Sequence, residues 1–377
     1  MEYIVNFLLS ILLLLTISAN AEVKYPSSES CNECHENIYR EHQSSMHPKS
    51  SLFKDEFHAT MKDIVNKNEY GCAVCHMPAT KNMRAMMSGK EQPDSTKYRQ
   101  TDGVSCFFCH QIKKIYDSPA HKINYSNYRG DKKPTVFGNL KKPYESNEHY
   151  SESNEIYKTS EVCMGCHAHK QNYIGFEVCN VEKGYDKQTD CIGCHMPRTS
   201  GTIEKKDKGM RESYVSHEFL GVHSQKMIKK AVKLELSYKN SQLKLTINNK
   251  MGHAIITHPM RLKYAKTIIT RDSKIIWSNF KEDPADDKEA TFVIIFKDID
   301  DKATLPNKAL GYKLNRNLRA NSSKVITYKV PKLKKGDIVK TIWVSYLINP
   351  VLAKMAGITA KDIIKQSIGI QETLTIK

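Results

Sequence analysis

Two thiols three residues apart, followed at once by an imidazole, recur five times in this chain. The words are Cys31-Asn-Glu-Cys34-His35, Cys72-Ala-Val-Cys75-His76, Cys106-Phe-Phe-Cys109-His110, Cys163-Met-Gly-Cys166-His167 and Cys191-Ile-Gly-Cys194-His195. In a helical turn, residues three apart share a face. Both thiols then reach the two vinyl groups of one porphyrin, and the adjoining imidazole reaches the iron. Cys-x-x-Cys-His is the attachment sequence of c-type haem. Cys31, Cys34, Cys72, Cys75, Cys106, Cys109, Cys163, Cys166, Cys191 and Cys194 therefore read as thioether positions of five covalent haems, with His35, His76, His110, His167 and His195 as proximal ligands. Structural zinc and redox dithiols also use Cys-x-x-Cys. Zinc ribbons need such pairs two at a time and no His after each, whereas here the pairs number five and every one carries its His.

Ten of the fifteen histidines lie outside the words: His42, His47, His58, His121, His149, His169, His217, His223, His253 and His258. That is enough to give every iron a second imidazole. Bis-His iron is low-spin and closed to small molecules, and it lacks the Met ligand that raises potential. Met77 and Met196 directly follow proximal histidines and are not read as axial ligands. Cys179 is the one cysteine outside the words. It is expected to be a buried, inert thiol, with a reactive thiol or an extra ligand as the alternatives.

The elements that must position these groups fall into three stretches. Residues 1–21 hold an apolar run, Ile4 to Ile17, and end in Ala19-Asn20-Ala21. This is the pattern of a cleavable signal peptide, too short for a comfortable membrane span. Glu2 with no nearby Lys or Arg departs from that pattern, and an uncleaved N-terminal anchor is the alternative. Either way the rest of the chain is placed outside the cytoplasm, with periplasmic export and no integral span in the mature chain. Residues 22–227 form the haem-bearing domain. Asn124–Tyr157, rich in Asn, Lys, Ser, Tyr and Pro, reads as loop. Short helices are expected at the words, with extended segments between them and the porphyrins supplying much of the apolar surface.

Residues 228–377 change pattern. Val232, Leu234, Leu236 and Tyr238 alternate with polar residues, Lys239–Gln242 turns the chain, and Leu243, Leu245 and Ile247 alternate again. Period two marks a β-hairpin. Further strands are expected at Ala265–Thr270, Lys274–Ser278, Thr291–Phe296, Ser323–Val330, Thr341–Ile348 and Gln371–Ile376, with helices at Pro350–Ala356 and Ala360–Gln366. The fold class is α+β: a loop-rich, short-helix multihaem domain followed by an all-β, sandwich-like domain.

The formal charge is +17, and loss of the leader removes only the acid Glu2. Five haems bring about ten propionate charges, so part of the basic excess serves as their counter-ions. The remainder suits acidic redox partners or anionic substrates. Lys and Arg are spread along the chain rather than gathered in a tract, and export also argues against nucleic acid.

The stretch Cys31–Ser50, with Tyr39 and Ser44-Ser45-Met46-His47, resembles a group of multihaem c-type cytochromes. So do Asp102-Gly-Val-Ser-Cys106 through His110 and Asp190-Cys191 through Pro197. The group contains the tetrahaem carrier of hydroxylamine oxidation and the octahaem reductases, and the similarity is greatest to periplasmic members with an appended β domain. The resemblance implies that the Ser-x-His after the first word, here His47, is a distal ligand. It implies the same for His149 before the fourth word, for His217 in His217-Glu-Phe219-Leu-Gly221, and for His253 in Gly252-His253, followed by Pro259-Met-Arg261. The Pro-Thr-Gly that the group carries after Gly-His is replaced by Ala254-Ile-Ile-Thr-His258, so either His253 or His258 is the ligand from that hairpin. His223 completes the expected distal set of five.

These readings point to a periplasmic pentahaem cytochrome carrying electrons between a membrane quinol dehydrogenase, or another donor, and a terminal reductase. The alternative is a haem enzyme, a reductase or oxidase of a small nitrogen or sulfur compound at one open iron, served by Lys, Tyr or Cys179. The Cys-x-x-Cys-Lys word of the pentahaem nitrite reductases is absent. Intact-mass measurement of the exported protein should give the chain from Glu22 with five added haem masses. A retained leader or a smaller haem increment contradicts the corresponding expectation.

Overall fold

The computed structural model describes residues 25–128, 130, 133–182, 186, 190–202, 212–359, 361–364 and 366–377. The expected leader and its cleavage point lie outside them. Among the described residues no helix is long and apolar enough to cross a membrane.

The first half of the chain is built of short pieces. Its longest helices are Glu36–Ser44 and Glu56–Val65. The latter is capped by the Asp55 carboxylate, which accepts from the His58 N–H. Apolar side chains gather in small clusters rather than one core. Tyr25, Phe107, Phe108, Ile112, Phe137 and Tyr157 form one, and Tyr70, Ala73, Met77 and Met86 another. The Met77 thioether accepts from the Ser51 hydroxyl at 3.4 Å and is fully buried. The segment read as loop is more ordered than expected. Ile123–Ser126 pairs antiparallel with Ile112–Tyr116, and Thr135–Gly138 pairs parallel with Tyr150–Ser153. Four-residue ladders need no hydrophobic period, so composition conceals them.

The second half is a β-sandwich. Val232–Lys239 and Gln242–Asn249 pair with Lys239 opposite Gln242. Asn240 and Ser241 between them have φ of 52° and 59°. Two left-handed residues make the tight turn whose twist suits a hairpin. Ser323–Lys329 joins as the third strand of this sheet. The larger sheet has seven strands centred on Leu262–Arg271, which is flanked by Ile338–Tyr346 and Thr291–Lys297. Leu234, Leu245, Ile247 and Ile326 of the small sheet face Ala265, Phe292 and Trp343 of the large one.

Six expected strands match observed ones within a few residues. Gly311–Arg316 and Ala303–Thr304 are additional strands on Thr291–Lys297, unseen in the sequence because they carry few apolar residues. The last strand begins at Gln366, not at residue 371. It shortens the preceding helix to Lys361–Ile364, with Ala360 and Lys365 outside the described residues. Its Gly369 lets Ile228 approach, since a Cβ there would lie 2.3 Å from the Ile228 side chain.

The two halves are packed together. Phe57, Met61 and Ile64 of the first half lie against Met260, Ile348, Leu352 and Ile358 of the second. The Asn172 amide donates to the carbonyls of Pro306 and Ala309. Trp343 is 1% exposed at the centre of the sandwich. Trp343→Ala should cost about 3–5 kcal/mol, measured as a lower urea midpoint for the β signal in circular dichroism.

Candidate functional site

Each word sits in a short turn whose ends are tied down. Cys106–His110 is a helix capped by the Ser105 hydroxyl, which accepts from Phe108 N–H. Cys191–His195 is capped by Asp190, which accepts from Ile192 and Gly193 N–H. Ala73–His76 and Met164–His167 are single turns, and the first word begins inside a 3-10 turn, Glu29–Glu33, with Cys34 at its C-cap. All eleven cysteines are free thiols. Among the described residues no three His, Cys, Asp or Glu side chains converge as a zinc site would require.

The words pack on one another. The Cys31 and Cys106 thiols hydrogen-bond each other, as do Cys75 with Cys166 and Cys163 with Cys191. Cys109 lies close enough to Cys163 and Cys166 for electrostatic contact. The first word thus abuts the third, and the fourth abuts the second, third and fifth.

Four word histidines face a second histidine at nearly one spacing. Ring centroids are 6.3 Å apart for His35 and His149, 6.2 Å for His47 and His167, 6.2 Å for His110 and His217, and 6.4 Å for His195 and His253. A metal–imidazole bond of about 2 Å on each side, with the nitrogen about 1 Å from its ring centre, gives roughly 6 Å. The four pairs therefore fit an iron between them. His47 and His217 are held neutral, with pKa values pushed down to about 3, chiefly by burial, and His167 to about 4. Neutral imidazole is the form that binds metal.

Backbone carbonyls select the tautomer. Nδ1 of His76, His110 and His195 donates to Ser50, Phe137 and Leu220 carbonyls at 3.1, 2.6 and 2.5 Å. Nδ1 of His217 and His253 donates to Val215 and Ala254 at 2.8 and 2.9 Å, and Nδ1 of His149 lies 3.1 Å from the Ser151 hydroxyl. Where a carbonyl holds Nδ1–H, Nε2 keeps its lone pair for a metal.

The second word, Cys72–His76, differs. His58 stacks on His76 with centroids 3.8 Å apart. That is van der Waals contact, too short for an intervening iron. His58 is held there because its Nε2 bonds the Tyr70 hydroxyl at 2.7 Å. The expectation of five facing pairs is thus met by geometry for four words only. His223 is not brought against a word histidine, and its electrostatic neighbours are Arg261, Lys49 and Asp55. His258 lies near His76 and Arg261. His42 donates from Nε2 to the Val104 carbonyl, His169 spends its ring on Ser118 and Glu182, and His121 bonds the Lys122 carbonyl.

Several positioning residues carried no mark in the sequence. Both carboxylate oxygens of Glu41 hold the segment that presents His217: one accepts from His217 N–H and the other from the Tyr214 hydroxyl, each at 2.8 Å. Phe219, at φ 45°, wedges its ring 4.1 Å from His47 and 5.8 Å from His217. The His47–His167 planes are the most inclined of the four pairs, at 52°. Gly103 has φ +63°, and a Cβ there would lie 2.5 Å from the His47 carbonyl. That close approach lets Val104 N–H donate to the same carbonyl at 3.0 Å.

The family model "cytochrome c554 and c-prime" matches residues 30–111. A solved structure, a penta-heme cytochrome c552 from Thermochromatium tepidum, superposes with a TM-score of 0.76. It covers 93% of this chain and 99% of its own, at 22% identity. The fold is that of a multihaem c-type cytochrome. The family model spans the first three Cys-x-x-Cys-His words, and the structural match extends over nearly the whole chain. A superoxide reductase structure in the oxidised state covers 39% of the chain with a TM-score of 0.19 and 8% identity, and no argument rests on it. No curated protein matches.

Of the two histidines left open in the hairpin region, His253 faces a word histidine. His253→Ala should convert one low-spin haem to high-spin in the ferric electron paramagnetic resonance (EPR) spectrum, whereas His258→Ala should leave the four paired haems low-spin. Unchanged spectra in both would remove the β half from iron ligation.

Proposed function

We propose that this chain is an exported pentahaem cytochrome of the group that includes the hydroxylamine-oxidation tetrahaem carrier and the octahaem reductases. In this reading it carries electrons between a quinol dehydrogenase, or another donor, and a terminal reductase in the periplasm. Residues 1–21 act as its signal peptide, residues 22–227 hold the haems, and residues 228–377 form the β domain. The single observation behind the reading is the set of four histidine pairs at 6.2–6.4 Å.

In this proposal each word binds one haem through its two thiols and proximal His. His149, His47, His217 and His253 are the second ligands opposite His35, His167, His110 and His195. Bound haem supplies a one-electron iron couple. The chain does the rest. Its backbone carbonyls fix the ring planes, so little reorganises when charge changes. Burial around His47 and His217 excludes water. Paired imidazoles leave no position for substrate, which suits a carrier. Because His253 comes from the β half, that half is latched to the haem of His195.

A second reading is favoured by one observation, the stacking of His58 on His76. The haem of His76 would then lack a facing imidazole unless His258 or His223 moves onto it. It becomes the place where a small nitrogen or sulfur compound meets the relay, which would make the chain a haem-dependent oxidoreductase. We expect carbon monoxide to shift the Soret band of one ferrous haem in five, with four ferric low-spin EPR signals. Five unreactive low-spin haems would leave only the carrier reading; two or more reactive haems would contradict the pairing.

A further inference from the structure

We infer that a small oxyanion or carboxylate is held by Arg261 in the seam between the Lys170–Cys179 hairpin and the turn that begins at His258, beside the haem of His76. This rests on the proposed binding of a haem at His76 and deepens the second reading.

The seam is built by hydrogen bonds. His169–Gln171 and Glu177–Asn180 form an antiparallel hairpin with Lys170 opposite Cys179, so the two side chains share a face. The Cys179 thiol donates to the Thr257 carbonyl at 2.8 Å, which ties this hairpin to the start of the His258 turn. In that turn Arg261 N–H donates to the His258 carbonyl at 3.1 Å, and Met260 N–H to His258 Nδ1 at 3.3 Å. His258 and Lys170 both lie within electrostatic range of His76. The seam and the second word are one neighbourhood.

No carboxylate acts directly on Arg261, although Asp55 acts on His223 and His76 and Glu177 acts on Cys179. Arg261 is partly buried, and its buried Nη1 has no hydrogen-bond partner among the described residues. Its electrostatic neighbours are His223, His258, Cys179 and Lys263, and none is a carboxylate. Lys263 is buried as well, and its ammonium donates to the Ile255 carbonyl at 3.0 Å. Burying an unpaired guanidinium is costly, and its fork matches two oxygens of a planar anion. Cys179 is protonated in this setting, because burial raises its pKa despite the nearby cations. It brings no competing negative charge, and its one S–H is already given to the Thr257 carbonyl.

Two sources offer the required chemistry: a propionate of the bound haem, or a free ion of the size of nitrite or sulfite. The experiment uses the haem-loaded full chain and its Arg261→Gln and Arg261→Lys variants. Sodium nitrite and sodium sulfite are titrated against the ferric spectra, and the midpoint potential of each haem is recorded. The four low-spin signals serve as the folding control. If the anion is free, nitrite or sulfite perturbs one haem of the wild type. R261Q then weakens that binding about tenfold or more, and R261K restores part of it. If the anion is a propionate, neither salt has an effect, but R261Q lowers one midpoint potential and R261K recovers it. Unaltered anion response and unaltered potentials in R261Q would overturn the inference. Carbon monoxide stoichiometry on the same samples tests the open haem separately. Its failure would appear as no carbon monoxide binding while R261Q still lowers a potential.

Discussion

A bond between a metal and an imidazole nitrogen tolerates little variation in length, and much of this chain is arranged to satisfy it. Two rings separated by a little over 6 Å, nearly parallel in three of the four cases, are a demanding target. The partners come from distant parts of the sequence: His35 with His149, His47 with His167, His110 with His217, and His195 with His253. In the proposed cytochrome each pair, closed by iron, would be a long-range cross-link of the kind that constrains an unfolded chain most. Such cross-links would hold in one conformation a region that has only small apolar clusters and short helices. The carbonyl partners of Nδ1, the Glu41 carboxylate and the Phe219 wedge are the supports that hold those rings on target.

Much of the β half was legible, because alternation along a half-buried strand is written directly in residue type. Leu243, Leu245 and Ile247 alternate in sequence and are all fully buried. The edge strand Gly311–Arg316 was not legible, since none of its residues is fully buried; Tyr312 packs on Phe176 and Phe296 without an alternating pattern to announce it. In the first half, the words announced their chemistry through spacing. The histidines that face them did not, because facing is a tertiary relation. Resemblance supplied His47, His149, His217 and His253; nothing in local pattern separates His253 from His258. Glu41 was invisible for the same reason, and Arg261 was marked only by its place in Pro259-Met-Arg261, since a buried Arg and a surface Arg look alike in a sequence.

The second word shows how one hydrogen bond redirects a ring. Tyr70 holds His58 by Nε2, the nitrogen that would otherwise be free for metal. The ring is thereby parked flat on His76 instead of across from it. A tyrosine hydroxyl, itself made harder to ionise by burial, thus decides whether this position resembles the other four.

The contacts between thiols have a consequence for connectivity. They join the words as a tree with one branching node, the fourth word, touched by the second, the third and the fifth; the first hangs from the third. In a linear wire each interior station has two neighbours, and charge has one route from end to end. In a tree, three termini share a single crossing. In the proposed cytochrome, electrons entering at one terminus would be divided between the other two, and damage at the crossing would isolate every branch from the rest.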